Sequence, residues 1–380
     1  MISSELFIRR MNYMASFNLA ENAKKLNIEN PNYMLAKGLM QPFSASNSGS
    51  RKLMYGTQSE QNMPTVAPEV PYIGTGYETR FGENSSSFTT AGCDMTVIGM
   101  VSKFTANPRH HYFVFAADHE NKMLHVFERK EYKHITESYG YLYDNDYIDS
   151  LQVGSQIKHG QAVQKSNAFD ENNLRMNGVN LLSMYNACES TIEDAILISE
   201  SASKKLSAPL IKPASIIIND NDIPLNLYGD SETYKIFPDI GEEVKDSIVC
   251  ALRREKKEET LYSQSYARLR EPSISDEKYT MSGRVVDINV YCNDPEKLKE
   301  YGYNEQLKYY YDDNMRMSAE IVNLLKPFLD QGYQMEYDLQ RLFSICNGCL
   351  NGKQYFSERA FSNIILEITV MEIIPISQGD

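Results

Sequence analysis

The 380-residue sequence contains no tryptophan and no run of about 18 apolar residues that could form a transmembrane helix. Its first residues, MISSELFIRRMNYM, also lack the uninterrupted apolar core of a signal peptide. Apolar side chains still make up 42% of the chain, enough for about two or three hydrophobic cores in which Tyr, Met, Ile and Leu replace tryptophan. We therefore expect a soluble globular protein of the cytoplasmic type.

Positive charge is scarce: 38 Lys and Arg face 51 Asp and Glu, a formal net charge of −13. A free-standing protein that clamps DNA or RNA usually carries excess Lys and Arg on its binding face. The composition argues against that class. Any contact with nucleic acid must be local or completed by partner chains.

Cysteines are few, and their six scattered positions favour a reducing compartment over a disulfide framework. Cys346 and Cys349 form the one CxxC pair, but a four-ligand zinc site needs two more ligands close by, and the sequence offers none. His110 and His111 belong to no ligand pattern, and we predict that they lie on the surface.

Residues 1–45 have the mixed pattern of short helices, and Arg51–Glu60 predicts another. Pro64, Pro68 and Pro71 exclude regular structure from the next stretch. Between about 93 and 165 apolar residues recur in short bursts, which predict a β-rich region with tight turns at Gly154 and Gly160.

The second half of the chain changes from strands to helices and back. Residues 193–207 predict a helix that begins at the start of that stretch, whereas 213–227 and 283–294 alternate as strands do. Apolar spacings of three and four over 294–349 predict a helical hairpin turning near Gly332. Its Tyr309–Tyr311 and Leu324-Leu325 fit either an internal seam or a partner surface. Residues 363–380 predict a long strand.

Three stretches, in this order, resemble the β (second-largest) subunit of multisubunit DNA-directed RNA polymerases: 47–78, I-E-D-A-I-L-I-S-E at 192–200 and I-S-Q-G-D at 376–380. The first matches at Arg51, Leu53, Met54, Gln61, Pro64, Thr65, Pro71, Gly74, Thr75, Gly76 and Glu78. The resemblance implies a β-rich α+β fold, part of a double-psi β-barrel region with an inserted flap or wall domain that carries the helical hairpin.

The implied organisation has four parts: a helical connecting segment (1–45), the barrel region with the site motifs (46–204), a flap/wall-like domain (205–362, with its helical insertion at 294–349) and a barrel strand returning to the core (363–380). An apolar strand that runs into the last residues suggests a partner strand on another chain. Finding that strand already paired within this chain would count against the resemblance.

Nucleotidyl transfer uses two divalent ions, one at the attacking hydroxyl and one at the triphosphate. In the family, Mg²⁺ is held mainly by a carboxylate loop of the largest subunit, and N-D-N-D at 219–222 has the wrong form for that loop. The resemblance therefore implies a chain that is inactive alone. It assigns Glu193 and Asp194 to the second magnesium, held indirectly through its waters. An exposed helix start is the alternative role for this pair.

The same resemblance assigns Arg51 to the incoming triphosphate, whose oxygens suit a guanidinium fork, and Met54, Thr57 and Gln61 to the nucleotide or RNA. Alternatives are an Arg that caps its own loop and packing roles for Met54 and Gln61. The chain departs from the family at Tyr55, Thr57, Glu189–Thr191 and Ile373–Pro375, which the resemblance places at contacts to nucleotide, template and RNA.

Such a fragment resembles the split polymerases of giant bacteriophages. Its implied partners are other β-type and β′-type chains, DNA template, RNA product, NTPs and a promoter-specificity factor at the flap, with no membrane. The implied location is the cytoplasm of a bacterial host, with the virion as a second possibility. The alternative function is a non-catalytic β-rich structural or binding protein, such as a virion component.

Overall fold

The computed structural model describes residues 38, 40–78, 88–134, 138–176, 178–186, 189, 195–254, 268–299, 302–356 and 359–377. The chain divides into two compact units. Unit 1 comprises Met1–Thr89, Lys165–Ala208 and Ile374–Asp380, and unit 2 comprises Thr90–Gln164 and Pro209–Ile373.

The described residues form a mixed α+β structure rich in strands, as the sequence predicts. The strands are β1 (Phe88–Thr90), β2 (Met95–Ser102), β3 (Tyr112–Asp118), β4 (Met123–Arg129), β5 (Tyr132–His134), β6 (Gly140–Asp144), β7 (Gln156–Ile157), β8 (Ala162–Ser166), β9 (Ala208–Ile218), β10 (Asp222–Pro224), β11 (Ile248–Arg254), β12 (Glu277–Thr280), β13 (Arg284–Tyr291), β14 (Gln334–Met335) and β15 (Ile364–Ile374). The helices are α1 (Gly49–Gln61), α2 (Asp146–Ser150), α3 (Glu200–Lys205), α4 (Glu296–Lys299), α5 (Glu305–Asp330) and α6 (Tyr337–Leu350). The double-psi barrel, the flap and the four domain ranges stay predictions.

A five-stranded sheet in the order β14-β4-β3-β2-β7 forms the middle of unit 2. Strand β3 is buried at all seven positions, which explains its unbroken apolar run, because such a strand is covered on both faces. Phe113 and Phe115 pack towards α5 and α6, whereas Val114 and Ala116 pack with α2 and β8. The turns predicted at Gly154 and Gly160 are confirmed by their φ values of 91° and 77°.

Two further sheets in unit 2 follow the orders β10-β11-β12 and β13-β15-β9. The core between them and α5 includes Ile288, Leu366 and Tyr310. The α5 and α6 helices lie where the 294–349 periodicity predicts them, and the turn between them contains Gly332 at φ 85°. Their identity as a flap hairpin stays a prediction.

The expectation that the last strand awaits a partner from another chain is wrong for Ile364–Ile374. Strand β15 lies in the middle of its sheet, with β13 on one edge and β9 on the other. Its register with β13 pairs Ile288 with Ile368 and Val290 with Leu366. Both edges are therefore hydrogen-bonded within this chain, which weighs against this part of the barrel interpretation.

The predicted surface location of His110 and His111 is also wrong, since both are buried. His110 Nε2 lies 2.7 Å from the Val286 carbonyl oxygen, and His111 Nε2 lies 2.9 Å from Glu128 Oε1. Polar groups can be buried at modest cost when each has a partner. These partners come from β4 and β13, which are distant in sequence.

The two histidines border a charged cluster between β2, β4 and β13. Lys103 Nζ lies 2.5 Å from Asp287 Oδ1, and this ion pair is buried, with side-chain exposures of 7% and 16%. Glu131 pairs with Arg284 at 2.7 Å. The cluster lines a cavity of about 260 Å³. Each of these four charged side chains therefore has a partner of opposite charge.

Replacing Lys103 with methionine should destabilise unit 2 strongly, because the mutation leaves the Asp287 carboxylate buried without its cation. Breaking a buried pair on one side costs about 3–5 kcal/mol in free energy of unfolding. Urea denaturation followed by circular dichroism measures the loss. Lys103→Met with Asp287→Leu should recover most of it, and Lys204→Ala, which breaks an exposed pair with Glu200, should cost under about 1 kcal/mol. Equal stability of the wild type and Lys103→Met would contradict this role.

Acid should weaken the same cluster. The hydrogen bond from His110 and the charge of Arg284 lower the pKa of Glu131 from 4.5 to about 2. Burial disfavours the Glu128 carboxylate, but His111 and Lys130 outweigh it and lower its pKa to about 2 as well.

A carboxyl group with a depressed pKa stabilises the fold above its unfolded value and loses that contribution as the pH falls towards its folded value. The free energy of unfolding should therefore fall between about pH 4.5 and about pH 2. Urea titrations over this range should show a shallower fall for Glu131→Gln than for wild type, with exposed Glu200→Gln as the control. A fall of the same steepness in Glu131→Gln would refute the assignment.

Candidate functional site

Helix α1 of unit 1 carries the four residues that the sequence assigns to nucleotide and RNA contacts. Ser48 precedes the helix with extended backbone angles, and its Oγ accepts a hydrogen bond from the Arg51 N–H at 3.4 Å. A serine at this position satisfies one of the unpaired N–H groups of the first turn. The helix ends at Gln61, two residues before the start of the proline-rich stretch at Met63-Pro64.

Arg51, Met54, Thr57 and Gln61 lie on one exposed face of α1. Their spacings of three, three and four residues bring them to one side of a helix with 3.6 residues per turn. The opposite side is turned inwards, where Gly56 is buried and Tyr55 is half-buried. The structure therefore presents all four predicted side chains on one surface.

Three of these side chains, Arg51, Met54 and Thr57, have partners within the helix. Arg51 Nη1 donates a hydrogen bond to Met54 Sδ at 3.1 Å, and Thr57 Oγ1 donates one to the Leu53 carbonyl oxygen at 3.0 Å. A thioether is a weak acceptor, so a stronger anionic partner can displace it. The Arg51 guanidinium is exposed, which leaves it accessible to such a partner.

The stretch after α1 is anchored to later parts of unit 1. The Val66 N–H donates to the Ser207 carbonyl oxygen at 2.8 Å. Glu69 accepts a hydrogen bond from the Asn180 N–H at 2.8 Å and pairs with Lys205. These contacts lower the pKa of Glu69, chiefly through the hydrogen bond from Lys205 and then through that from Asn180. These contacts bring Val66 and Glu69, within the first matched stretch, beside Asn180 and beside residues 205–207, which follow the second stretch.

The G-T-G-Y-E phrase forms a closed turn. The Glu78 carboxylate is buried and accepts the Thr75 N–H at 2.9 Å. Gly76 has φ 82°, a left-handed value that residues with a Cβ rarely adopt. A Cβ on Gly74 would lie 3.1 Å from Glu78 Oε1. Local structure therefore explains why glycine stands at both positions: Gly76 adopts a left-handed φ, and Gly74 leaves room for the Glu78 carboxylate.

Glu193 and Asp194 lie outside the described residues, so the structure does not place them. The helix predicted to begin there starts only at Glu200, and that prediction is wrong for the described residues 195–199, which are not helical. Ser199 has extended backbone angles and caps α3 by accepting the Ala202 N–H at 3.2 Å. A capped N-terminus stops a helix from extending backwards.

The structure also bears on metal binding. Among the described residues, no group of three or more His, Cys, Asp or Glu side chains is arranged to hold a metal ion. Cys346 is buried in α6, and burial raises the pKa of its thiol to about 11.

Within the described part of the chain, no helix is long and apolar enough to cross a membrane.

Comparison with known proteins relates about half of this chain to proteins that share one name. No protein-family model matches the chain. Three curated relatives bear the name DNA-directed RNA polymerase subunit beta: those of Prochlorococcus marinus (24% identity over 215 residues, 54% of this chain and 17% of the relative), Chloroflexus aggregans (25% over 203, 53% and 15%) and Corynebacterium urealyticum (25% over 209, 54% and 16%). About half of this chain is thus similar to RNA polymerase β subunits, and the match spans about a sixth of their length.

Removing the α1 cap should loosen the surface that presents these side chains. Ser48→Ala deletes the acceptor for the Arg51 N–H, so it should lower the free energy of unfolding by about 0.5–2 kcal/mol. Urea denaturation of the purified chain measures this loss, with exposed Gln58→Ala inside the same helix as the control. A loss no larger than that of Gln58→Ala would show that Ser48 does not cap the helix.

Proposed function

We propose that this chain is a β-side component of a multisubunit DNA-directed RNA polymerase, supplying nucleotide and RNA contacts for template-directed RNA synthesis. The similarity of about half the chain to RNA polymerase β subunits carries the proposal. The placement of four matched or aligned side chains on one exposed face of α1 supports it. In this proposal the chain is inactive alone.

Within the proposed site, Arg51 holds phosphate oxygens of the incoming nucleotide with its planar fork of donors. On binding, the guanidinium exchanges its weak contact with Met54 Sδ for charge-assisted bonds. Met54 then forms the apolar side of the nucleotide site, and Thr57 and Gln61 contact the nucleotide or the RNA end. Each of these contacts needs only the exposed face of α1.

The proposed reaction uses Mg²⁺ held mainly by the largest-subunit chain, where it would activate the hydroxyl and neutralise the triphosphate. Glu193 and Asp194 would orient water molecules near the second ion, since adjacent carboxylates can bind metal-bound water. The role of this chain is therefore to position the nucleotide.

The proposed assembly contains other β-type and β′-type chains, DNA template, RNA product and NTPs. A promoter-specificity factor would dock at the flap, for which the α5–α6 pair is the candidate. We place the assembly in the cytoplasm of a bacterial host, with the split polymerases of giant bacteriophages as the proposed relatives in organisation.

A second candidate function, a non-catalytic structural or binding protein, is favoured by one observation. Strand β15 is paired on both edges within this chain, although the barrel interpretation expects a partner strand from elsewhere. The two candidates differ in association: a structural protein would not co-purify with RNA polymerase chains when they are co-expressed.

Arg51→Ala should lower kcat/KM for NTPs in the assembled polymerase by about ten- to a hundredfold, since a charge-assisted hydrogen bond contributes about 1.5–3 kcal/mol. Arg51→Lys should fall in between, because an ammonium keeps the charge but not the fork. The measurement is steady-state RNA synthesis on a primed template, with the chain alone as the inactive reference.

Lys52→Ala is the matched control, because it removes the neighbouring cation from the inner side of the same helix. Assembly should be checked for every variant by size-exclusion chromatography. If Arg51→Ala assembles normally and keeps the wild-type kcat/KM, the assignment of Arg51 to the triphosphate is wrong.

A further inference from the structure

A thiol, an imidazole and a carboxylate form a chain of contacts on the five-stranded sheet of unit 2. Cys93 Sγ lies 3.7 Å from His125 Nε2, and His125 Nδ1 lies 2.6 Å from Glu336 Oε2. Cys93 lies just before β2, His125 lies in β4, and Glu336 immediately precedes α6. A nucleophile in contact with a base that a third group orients is the arrangement by which proteins activate a thiol.

The Glu336 carboxylate determines which ring nitrogen of His125 faces the thiol as an acceptor. An ionised carboxylate only accepts hydrogen bonds, so Nδ1 carries the hydrogen shared with Glu336. In the neutral imidazole Nε2 is then the unprotonated nitrogen, and it faces Cys93 Sγ. The Glu336 side chain makes no hydrogen bond to the first turn of α6, so it orients the imidazole instead of capping the helix.

His159 holds the residues on either side of Cys93. Its backbone N–H donates to Asp94 Oδ1 at 2.6 Å, and its Nδ1 lies 2.8 Å from the Gly92 carbonyl oxygen. The backbone that carries the thiol is therefore held at both neighbouring residues. Cys93 is only half-buried, which leaves its thiol accessible to a small molecule.

The surroundings keep the Cys93 thiol protonated at rest. Burial, and then the hydrogen-bonded Asp118 side chain, raise the pKa of this thiol to about 11. Asp118 is ionised at neutral pH, because hydrogen bonds from Asn121 lower its pKa to about 2. Little thiolate is therefore present at neutral pH. A reaction at Cys93 needs a base that accepts the proton during the attack, and His125 Nε2 is in contact with the thiol.

Metal binding is another chemistry that a thiol and an imidazole at this distance can serve. The described part of unit 2, like that of unit 1, contains no group of three or more side chains able to hold a metal ion. Structural zinc sites use four protein ligands, and catalytic ones use three. The Cys93–His125 pair therefore fits a nucleophile and its base better than a pair of metal ligands.

We propose that Cys93, His125 and Glu336 form a thiol–disulfide exchange site that takes a positively charged, low-molecular-weight disulfide. The Cys93 thiol gives its proton to His125 Nε2 while Sγ attacks one sulfur of the disulfide. A new disulfide bond forms between Cys93 and that sulfur, and the original S–S bond breaks. The other sulfur leaves as a thiolate and takes the proton from His125. The small disulfide is thus the oxidant, and Cys93 becomes a reversible mixed disulfide.

The preference for a positive charge follows from the acids around the thiol. Asp118, Glu336 and Asp94 all act electrostatically on Cys93 and oppose a negative charge there. A disulfide that carries carboxylates is repelled by the same groups, whereas one that carries ammonium groups is attracted. The site therefore selects among disulfides by their charge.

Residue-resolved kinetics on the full chain test this site. The chain is treated with cystamine, a disulfide with ammonium groups, and mass spectrometry of acid-quenched digests follows the mixed disulfide at each cysteine. Cys93 should react at least about tenfold faster than Cys349, because only Cys93 has a base in contact. Cys349 is also half-buried, but its thiol contacts Ser318. Glutathione disulfide, which is negatively charged, should react with Cys93 more slowly than cystamine does.

Variants of the three neighbouring side chains should change the rate at Cys93 in opposite directions. His125→Gln should slow the reaction about 10- to 100-fold, because it removes the base. Glu336→Gln should slow it less, since the amide oxygen still accepts a hydrogen bond from Nδ1. Asp118→Asn should speed it up, by about threefold for each unit by which the loss of the negative charge lowers the pKa of the thiol. The rate at Cys349 and the circular dichroism spectrum should stay as in the wild type.

Each outcome decides the inference without reference to RNA synthesis, so it stands or fails separately from the proposed function. If Cys93 reacts no faster than Cys349, or if folded His125→Gln keeps the wild-type rate, the proposal is overturned. Equal rates with cystamine and glutathione disulfide would overturn the charge preference. Should His125→Gln not fold, Glu336→Gln and Asp118→Asn decide, and unchanged rates in both overturn the proposal.

Discussion

The carboxylate of Glu69 is the contact on which the candidate site depends. It accepts a hydrogen bond from the Asn180 N–H and pairs with Lys205, so it connects three stretches of unit 1 that are far apart in the sequence. Without it, the loop after α1 would be held to the segment after the second motif mainly by the Val66 to Ser207 backbone hydrogen bond. Glu69 thus holds part of the first matched stretch to Asn180 and to Lys205, which lies shortly after the second stretch.

Local patterns predicted the site helix and most strands, because those elements follow from nearby residues. The proline-rich stretch ends α1, short bursts of apolar residues define β2 to β4, and Gly154 and Gly160 take the left-handed angles that their turns require. The shared face of Arg51, Met54, Thr57 and Gln61 was not predicted, since the predicted helix ended at Glu60, but their spacing on the observed helix accounts for it. Their roles came from the resemblance alone.

Features that depend on distant partners could not be predicted in the same way. His110 and His111 are polar and sit between strands, which favours the surface until Glu128, Glu131 and Val286 supply partners. The pairing of β15 with β13 and β9 is a choice among many possible strands. An apolar strand at the end of a sequence gives no information about which neighbour it selects.

Two observations bear on the barrel hypothesis: strand β15 is paired on both edges, and residues 181–186 and 195–198 expose apolar side chains. The sequence analysis expected the last strand to pair with another chain, but in the structure β15 is hydrogen-bonded to β13 and β9 of its own chain. Exposed apolar side chains occur instead in residues 181–186 and 195–198, which precede and follow Glu193 and Asp194 in the sequence. These two segments leave apolar side chains uncovered, and runs of this kind often mark interaction sites.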